Sequence, residues 1–242
     1  MKNAFCFSII FLVLISWMQK NGDTLINRSR ASGTLQKSYL ALGDSYTIGE
    51  SVEETESFPA QTAKILKEQG MNISSPAIIA VTGWTTTDLL NALQNHPPPQ
   101  KNYSFVTLLI GVNNQYRGET LEKYTTEFAE LLNESISYAD NKKDHVFVIS
   151  IPDYSVTPFA NGSDTARIYK EIDDFNAVNK SISLNSGVPY LDITPISREA
   201  KNEKLLIGGD GLHPSAIQYK IWSESLAPMI LKQLWQVENA TR

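Results

Sequence analysis

Between Tyr39 and Ile193 the sequence repeats one arrangement five times: a short apolar run, then a stop, then in most cases a segment with helical spacing. The runs are Tyr39–Leu42, Ala77–Thr82, Phe105–Ile110, Val146–Ile151 and 187–193. Continuous apolar runs this short, bounded by glycine or proline, read as strands buried on both faces. The segments between them carry helix signals. Ser57 is placed to cap a helix with Pro59 in its first turn and Gly70 closing it. Thr85–Leu93 follows, and Leu121–Tyr138 sets Tyr124, Phe128, Leu131, Leu132 and Ile136 on one face. Ala166–Leu184 is a fourth helix, and Ser215 to about Trp235 is a fifth, begun by Pro214. Helices between consecutive strands are crossover connections, so the expectation is an α/β domain with a parallel sheet covered on both sides.

In such a sheet the carboxyl ends of all strands lie along one edge, and groups remote in sequence meet there. The first run ends in Gly43-Asp44-Ser45, a tight turn that would lift a serine hydroxyl to that edge. The second ends at Gly83, the third at Gly111-Val112-Asn113, and the fifth leads to Asp210-Gly211-Leu212-His213. The Asp–x–x–His spacing suits a turn that brings a carboxylate onto its own histidine, fixing the tautomer and leaving Nε2 to take a proton from Ser45. Taken alone, that tetrapeptide is better explained by a solvated helix start; its company at the other strand ends reverses the preference. The Ser45 and Gly83 N–H groups and the Asn113 amide are candidate donors to an oxyanion. Gly83 also reads as a plain strand-ending turn, and Asn113 as a loop cap. Gly83 lacks a Cβ, which would let substrate approach its backbone.

Other chemistries find little support. Net charge is −5, without the basic footprint of a nucleic-acid binder. The one cysteine, Cys6, lies in the N-terminal apolar run, so neither thiol catalysis nor a cysteine metal site is expected in the domain. No His-x-x-x-His pair occurs, and His96 and His145 read as surface or packing residues, so no metal or cofactor is expected. A phosphate-binding glycine loop is absent, and Ser45 does not stand in Gly-x-Ser-x-Gly, the usual α/β-hydrolase elbow. Lys2 followed by the apolar run Phe5–Met18 reads as a signal peptide or an uncleaved membrane anchor over residues 1–18. Residues 19–37 then form a polar linker and 38–242 the folded domain. Export is expected, with membrane association only through the N-terminal segment.

The residues at the strand ends resemble the blocks of the SGNH hydrolases, the GDSL esterase/lipase family. Gly43-Asp44-Ser45 matches the nucleophile block, Gly83 the glycine block, Asn113 in Gly-Val-Asn-Asn the asparagine block, and Asp210-Gly-Leu-His213 the acid–base block. The likeness spans about residues 38–236. It implies a flavodoxin-like three-layer α/β/α sandwich on five parallel strands. It also implies Ser45, Asp210 and His213 as catalytic residues, and an oxyanion hole from the Ser45 N–H, the Gly83 N–H and the Asn113 side chain. In this resemblance Asp44 holds the turn. Two positions depart from the family: Tyr46 follows the serine where leucine is usual, and Asn114 stands where the family often has aspartate.

The activity expected is hydrolysis of a small-molecule carboxylic ester through an acyl-enzyme on Ser45. Small acyl or acetyl esters are favoured over lysophospholipids and thioesters. An acyltransferase using the same acyl-enzyme and a non-catalytic exported binding protein are the rival readings. Tyr46, Ile48, Trp84, Pro152, Tyr154, Phe159 and Leu212 are expected along the rim.

Overall fold

The computed structural model describes residues 35–240, with side chains as far as Leu234. The expected export segment, and all of the expected linker before residue 35, lie outside the described residues. The fold is entered at Lys37, which bridges to Ile73.

Five strands form one parallel sheet: β1 (Tyr39–Gly43), β2 (Ala77–Ala80), β3 (Phe105–Leu109), β4 (Val146–Ile149) and β5 (Tyr190–Leu191), in the order β2-β1-β3-β4-β5. Every residue of β1, β3 and β4 is buried, whereas the edge strands β2 and β5 are half-buried. That is why the central runs show no alternation: both of their faces meet helices. The two hydroxyls among them, those of Tyr39 and Thr107, satisfy each other at 2.9 Å.

The helices are α1 (Ser45–Ile48), α2 (Phe58–Glu68), α3 (Thr86–Asn95), α4 (Val112–Tyr116), α5 (Leu121–Tyr138), α6 (Thr165–Asn185), α7 (Thr194–Glu199) and α8 (Ala216–Ala240). On one side α2 packs along α8, with Phe58 against Trp222 and the Ser223 hydroxyl donating to Phe58 O. Another group is formed by α3, α5 and α6, where Tyr124 packs on Phe128 and Phe175. This is the expected α/β/α sandwich of a parallel sheet flanked by helices. Strand β1 has β2 on one side and β3 on the other, so the chain winds in opposite directions from it. The gap between the ends of β1 and β3 is the position where open α/β sheets hold ligands.

Several boundaries differ from the sequence reading. The strands are shorter than the apolar runs: after β3 and β4 the run continues as buried loop at Ile110 and Ile151, and after β2 it emerges to solvent at Val81. Ile151, for example, gives its N–H and its carbonyl to the Asn176 side chain at 2.9 Å each instead of to a strand. Pro214 does not begin a helix; it bridges to Ile207, and Ser215 caps α8 one residue later. The short helices α1, α4 and α7 carry too few residues to show a period. No helix among the described residues is long and apolar enough to cross a membrane.

Candidate active site

Strand β1 delivers Ser45 through a turn with almost no free space. A Cβ on Gly43 would lie 2.1 Å from Thr47 Oγ1 and 2.3 Å from the Leu109 carbonyl, so only glycine lets β1 lie this close to β3 and α1. Asp44 caps α1 by accepting from Tyr46 N at 3.0 Å. Its other oxygen is buried without a partner, and burial raises its pKa to about 7. Ser45 is the first residue of α1, where an N–H has no intrahelical acceptor.

The loop after a single 3-10 turn, Lys204–Leu206, brings His213 to this serine. His213 Nε2 lies 2.9 Å from Ser45 Oγ, and Nδ1 lies 2.5 Å from Asp210 Oδ2. The second Asp210 oxygen accepts from the Leu212 and His213 N–H groups at 2.9 and 3.0 Å, so the tetrapeptide closes on itself. Burial pushes the Asp210 carboxyl up, but the hydrogen bonds from the imidazole and the two amides outweigh it and hold the group below its ordinary range. The loop is latched to its surroundings by Gly208 N donating to His213 O and Asp210 N donating to Ser51 Oγ. Tyr46 packs its ring 5.0 Å from the imidazole. His213 is 7% exposed: sheltered, yet open to the pocket beside it.

On the other side of Ser45 stands α4. Asn113 lines the same pocket as Ser45, and its Nδ2 donates to Trp84 O at 3.0 Å. Gly83 lies in the turn after β2, closed by Trp84 N donating to Val81 O at 3.2 Å. Its φ is +83°, the left-handed region that favours glycine. A Cβ there would meet only Arg117 Nη2, at 3.6 Å, so backbone angle rather than crowding demands the glycine. Gly83 O accepts from Arg117 at 2.6 Å, while its N–H has no hydrogen-bond partner among the described residues. Gly83 is not among the residues lining the pocket; its neighbour Trp84 meets the site only by accepting from Asn113. Asn114 faces away from Ser45, fully buried against Thr86.

The pocket, about 80 Å³, is walled by Tyr116 of α4 with Tyr154 and Phe159 of the 152–161 segment. Their ring centroids lie 5.9 to 6.1 Å apart in a closed triangle. Of the expected rim residues, Tyr46, Tyr154, Phe159 and Leu212 line this pocket. Pro152 lines a smaller neighbouring cavity, and Ile48 and Trp84 line neither. Val112 and Tyr116 were not anticipated; Tyr116 follows Asn113 by three residues, a spacing that shares a face once α4 is known to be helical. The 152–161 segment is held by buried Asp153, which accepts from Arg198 at 2.8 Å, and by Phe159 N donating to Gly211 O at 3.0 Å.

His96 is exposed at the end of α3, and His145 is buried with Nδ1 2.8 Å from Ser104 O. Burial lowers the pKa of His145. Among the described residues no three His, Cys, Asp or Glu side chains are grouped to hold a metal ion.

The arrangement can therefore pass a proton from a serine hydroxyl to an imidazole oriented by a carboxylate, beside an amide-bearing helix. The GDSL-like lipase/acylhydrolase family model matches residues 41–221. No curated protein matches the chain. Solved structures of similar fold include TesA, at 19% identity and TM-score 0.61, covering 82% of this chain and 99% of that one. A lipase/acylhydrolase from Enterococcus faecalis matches at 18% identity and TM-score 0.62, covering 80% and 95%. A variant of Axe2, an acetyl xylan esterase from Geobacillus stearothermophilus, matches at 18% identity and TM-score 0.59, covering 82% and 94%.

Proposed function

Because the chain belongs to the GDSL-like lipase/acylhydrolase family and is an ester hydrolase, we propose that it cleaves short-acyl carboxylic esters through an acyl-enzyme on Ser45. The observation carrying this reading is the unbroken relay from Ser45 Oγ through His213 to Asp210, at 2.9 and 2.5 Å. Ser45 Oγ attacks the ester carbonyl as His213 Nε2 takes its proton. The tetrahedral oxyanion is met by the Ser45 N–H, the Asn113 amide and the Gly83 N–H. His213 then returns the proton to the departing alkoxide, and water releases the acid by the same steps. Asp210 keeps the imidazole in the tautomer with Nδ1 protonated and offsets the charge it gains.

A short acyl group is supported by the size of the pocket. About 80 Å³ holds a few atoms of water size rather than a long chain. One solved structure of similar fold is that of an acetyl xylan esterase.

The test is labelling with a fluorophosphonate probe together with a chain-length series of chromogenic esters. The probe should mark Ser45, and Ser45→Ala should lose both label and roughly 10³-fold or more of kcat. An S45A protein with ordinary esterase activity removes the nucleophile assignment. A labelled enzyme that prefers long acyl chains leaves the mechanism standing and removes the substrate class.

A further inference from the structure

Resting on the reading of Asn113 as an oxyanion donor, the hydrogen bonding of its neighbour leads further. Two of the three proposed donors, Gly83 and Asn113, sit on the 83–86 turn and α4, and three side chains from 113–117 join these segments. Asn113 reaches Trp84 O, Arg117 reaches Gly83 O, and Asn114 reaches Thr86. The third tie is the buried one, since Asn114 is 0% exposed.

Asn114 uses both amide hydrogens and accepts one bond at its carbonyl oxygen. Its Oδ1 accepts from Thr86 N at 3.1 Å, and Nδ2 donates to Thr86 Oγ1 at 2.6 Å and to Glu119 Oε2 at 2.7 Å. The polarity of the chain is forced. Thr86 has one hydroxyl hydrogen, given to Glu127 Oε2 at 2.5 Å, so its oxygen presents only lone pairs to position 114. Glu119, whose other oxygen holds Lys123 Nζ at 2.9 Å, is likewise an acceptor. A carboxylate at 114, the group the family often carries, would bring no hydrogen to either neighbour and would set its charge against Glu119.

We propose that Asn114, paired with Glu119, is a positioning residue for catalysis: its two bonds to Thr86 fix α4 against the 83–86 turn, the Glu119 carboxylate takes the second amide hydrogen and so orients the amide that makes them, and the Asn113 amide is thereby held beside Ser45. The aspartate of the family pattern is thus replaced here by a matched pair, an amide at 114 and a carboxylate at 119. A pairing that served stability alone would leave kcat untouched in variants that stay folded. A positioning pair instead affects kcat with little change in KM, since Asn113 acts only once charge develops on the oxyanion.

The experiment measures kcat, KM and thermal midpoint on a short-acyl chromogenic ester for N113A, N114D, E119Q, N114D/E119Q and E119A. N114D should lose about 10- to 100-fold in kcat, the scale of a small misplacement in an active site, with KM within about threefold. Adding E119Q restores a donor facing the new carboxylate while its carbonyl keeps Lys123. N114D/E119Q should therefore recover about tenfold over N114D, whereas E119Q alone should lose about fivefold in kcat, because its single carbonyl cannot accept from both Asn114 and Lys123; that opposite sign in the two backgrounds is a coupling expected only of groups in contact. Should N114D not fold, E119A is decisive: kcat falls about fivefold at constant KM if Glu119 aligns the amide, and an unchanged kcat overturns the proposal. A folded N114D with parental kcat, or a double variant no better than N114D, overturns it as well. N113A separates the two layers. If N113A loses activity and N114D does not, only the pairing fails; if N113A is fully active, the oxyanion assignment fails with it.

Discussion

The pocket beside Ser45 has two walls held together in different ways. Toward β2, α4 and the 83–86 turn are joined by hydrogen bonds from Asn113, Asn114 and Arg117 to Trp84, Thr86 and Gly83. Toward the 152–161 segment, Tyr116, Tyr154 and Phe159 meet only through their rings, with Tyr116 58% and Phe159 45% exposed. Hydrogen bonds are directional and fix a donor to within tenths of an ångström, as stabilising a developing oxyanion requires. Ring contacts tolerate small shifts and respond to the size and shape of what lies against them. The first wall is suited to setting rate and the second to setting preference. Helix α4 serves both, giving Asn113 to one and Tyr116 to the other.

The largest effect should come from the relay that both walls surround. Asp210→Asn should lower kcat by roughly 10³- to 10⁴-fold, because the imidazole loses its tautomer control. Steady-state kinetics check this; a loss under tenfold would mean that Tyr46 and the loop backbone orient His213 unaided. On the polar wall, Asn113→Ala should lower kcat by about 10²- to 10³-fold with KM nearly constant. A change confined to KM would place Asn113 in ground-state binding and dissolve the contrast between the walls.

Below the polar wall lies Asp44, fully buried, with one carboxylate oxygen unpartnered. Its folded pKa, about 7, stands above that of the unfolded chain, so between about pH 4 and 7 the folded state holds a proton that the unfolded state has released. Stability from this group is therefore full below pH 4, falls as pH rises to about 7 and is level above it. Asp44→Asn should remove that slope, narrowing the difference in unfolding free energy between pH 4 and pH 8 by on the order of 4 kcal/mol. Urea titrations at the two pH values measure it, and an unchanged slope would mean that Asp44 stays ionised.

The smallest effect belongs to the aromatic wall. Phe159→Ala should leave kcat on an acetyl ester within about threefold and improve relative kcat/KM for longer chains by about fourfold per added methylene, the worth of a buried CH₂. If acetyl turnover itself collapses, the aromatic wall is also positioning reacting atoms.

The residues of the relay could be read from the chain because each stands at the end of a glycine-stopped apolar run or in a self-closing Asp–x–x–His turn. Asn113 was legible for the same reason. Tyr116 was not, since α4 is five residues long and a helix of that length leaves no periodic trace. Nor was the use of Asn114, whose partners Thr86, 28 residues before it, and Glu119 lie on separate segments.

By itself the sequence determined the layer architecture, the parallel sheet, and the identity of the serine, histidine and carboxylate at its edge. Those follow from local apolar patterning and turn chemistry, which act over a few residues. Only the tertiary structure decided which hydrogens point where: that Asn113 leans on Trp84, that Asn114 gives its amide to Glu119, and that three rings close one wall. Such choices depend on which donor finds which acceptor once distant segments are packed against each other and water has been excluded, and no local pattern encodes that pairing.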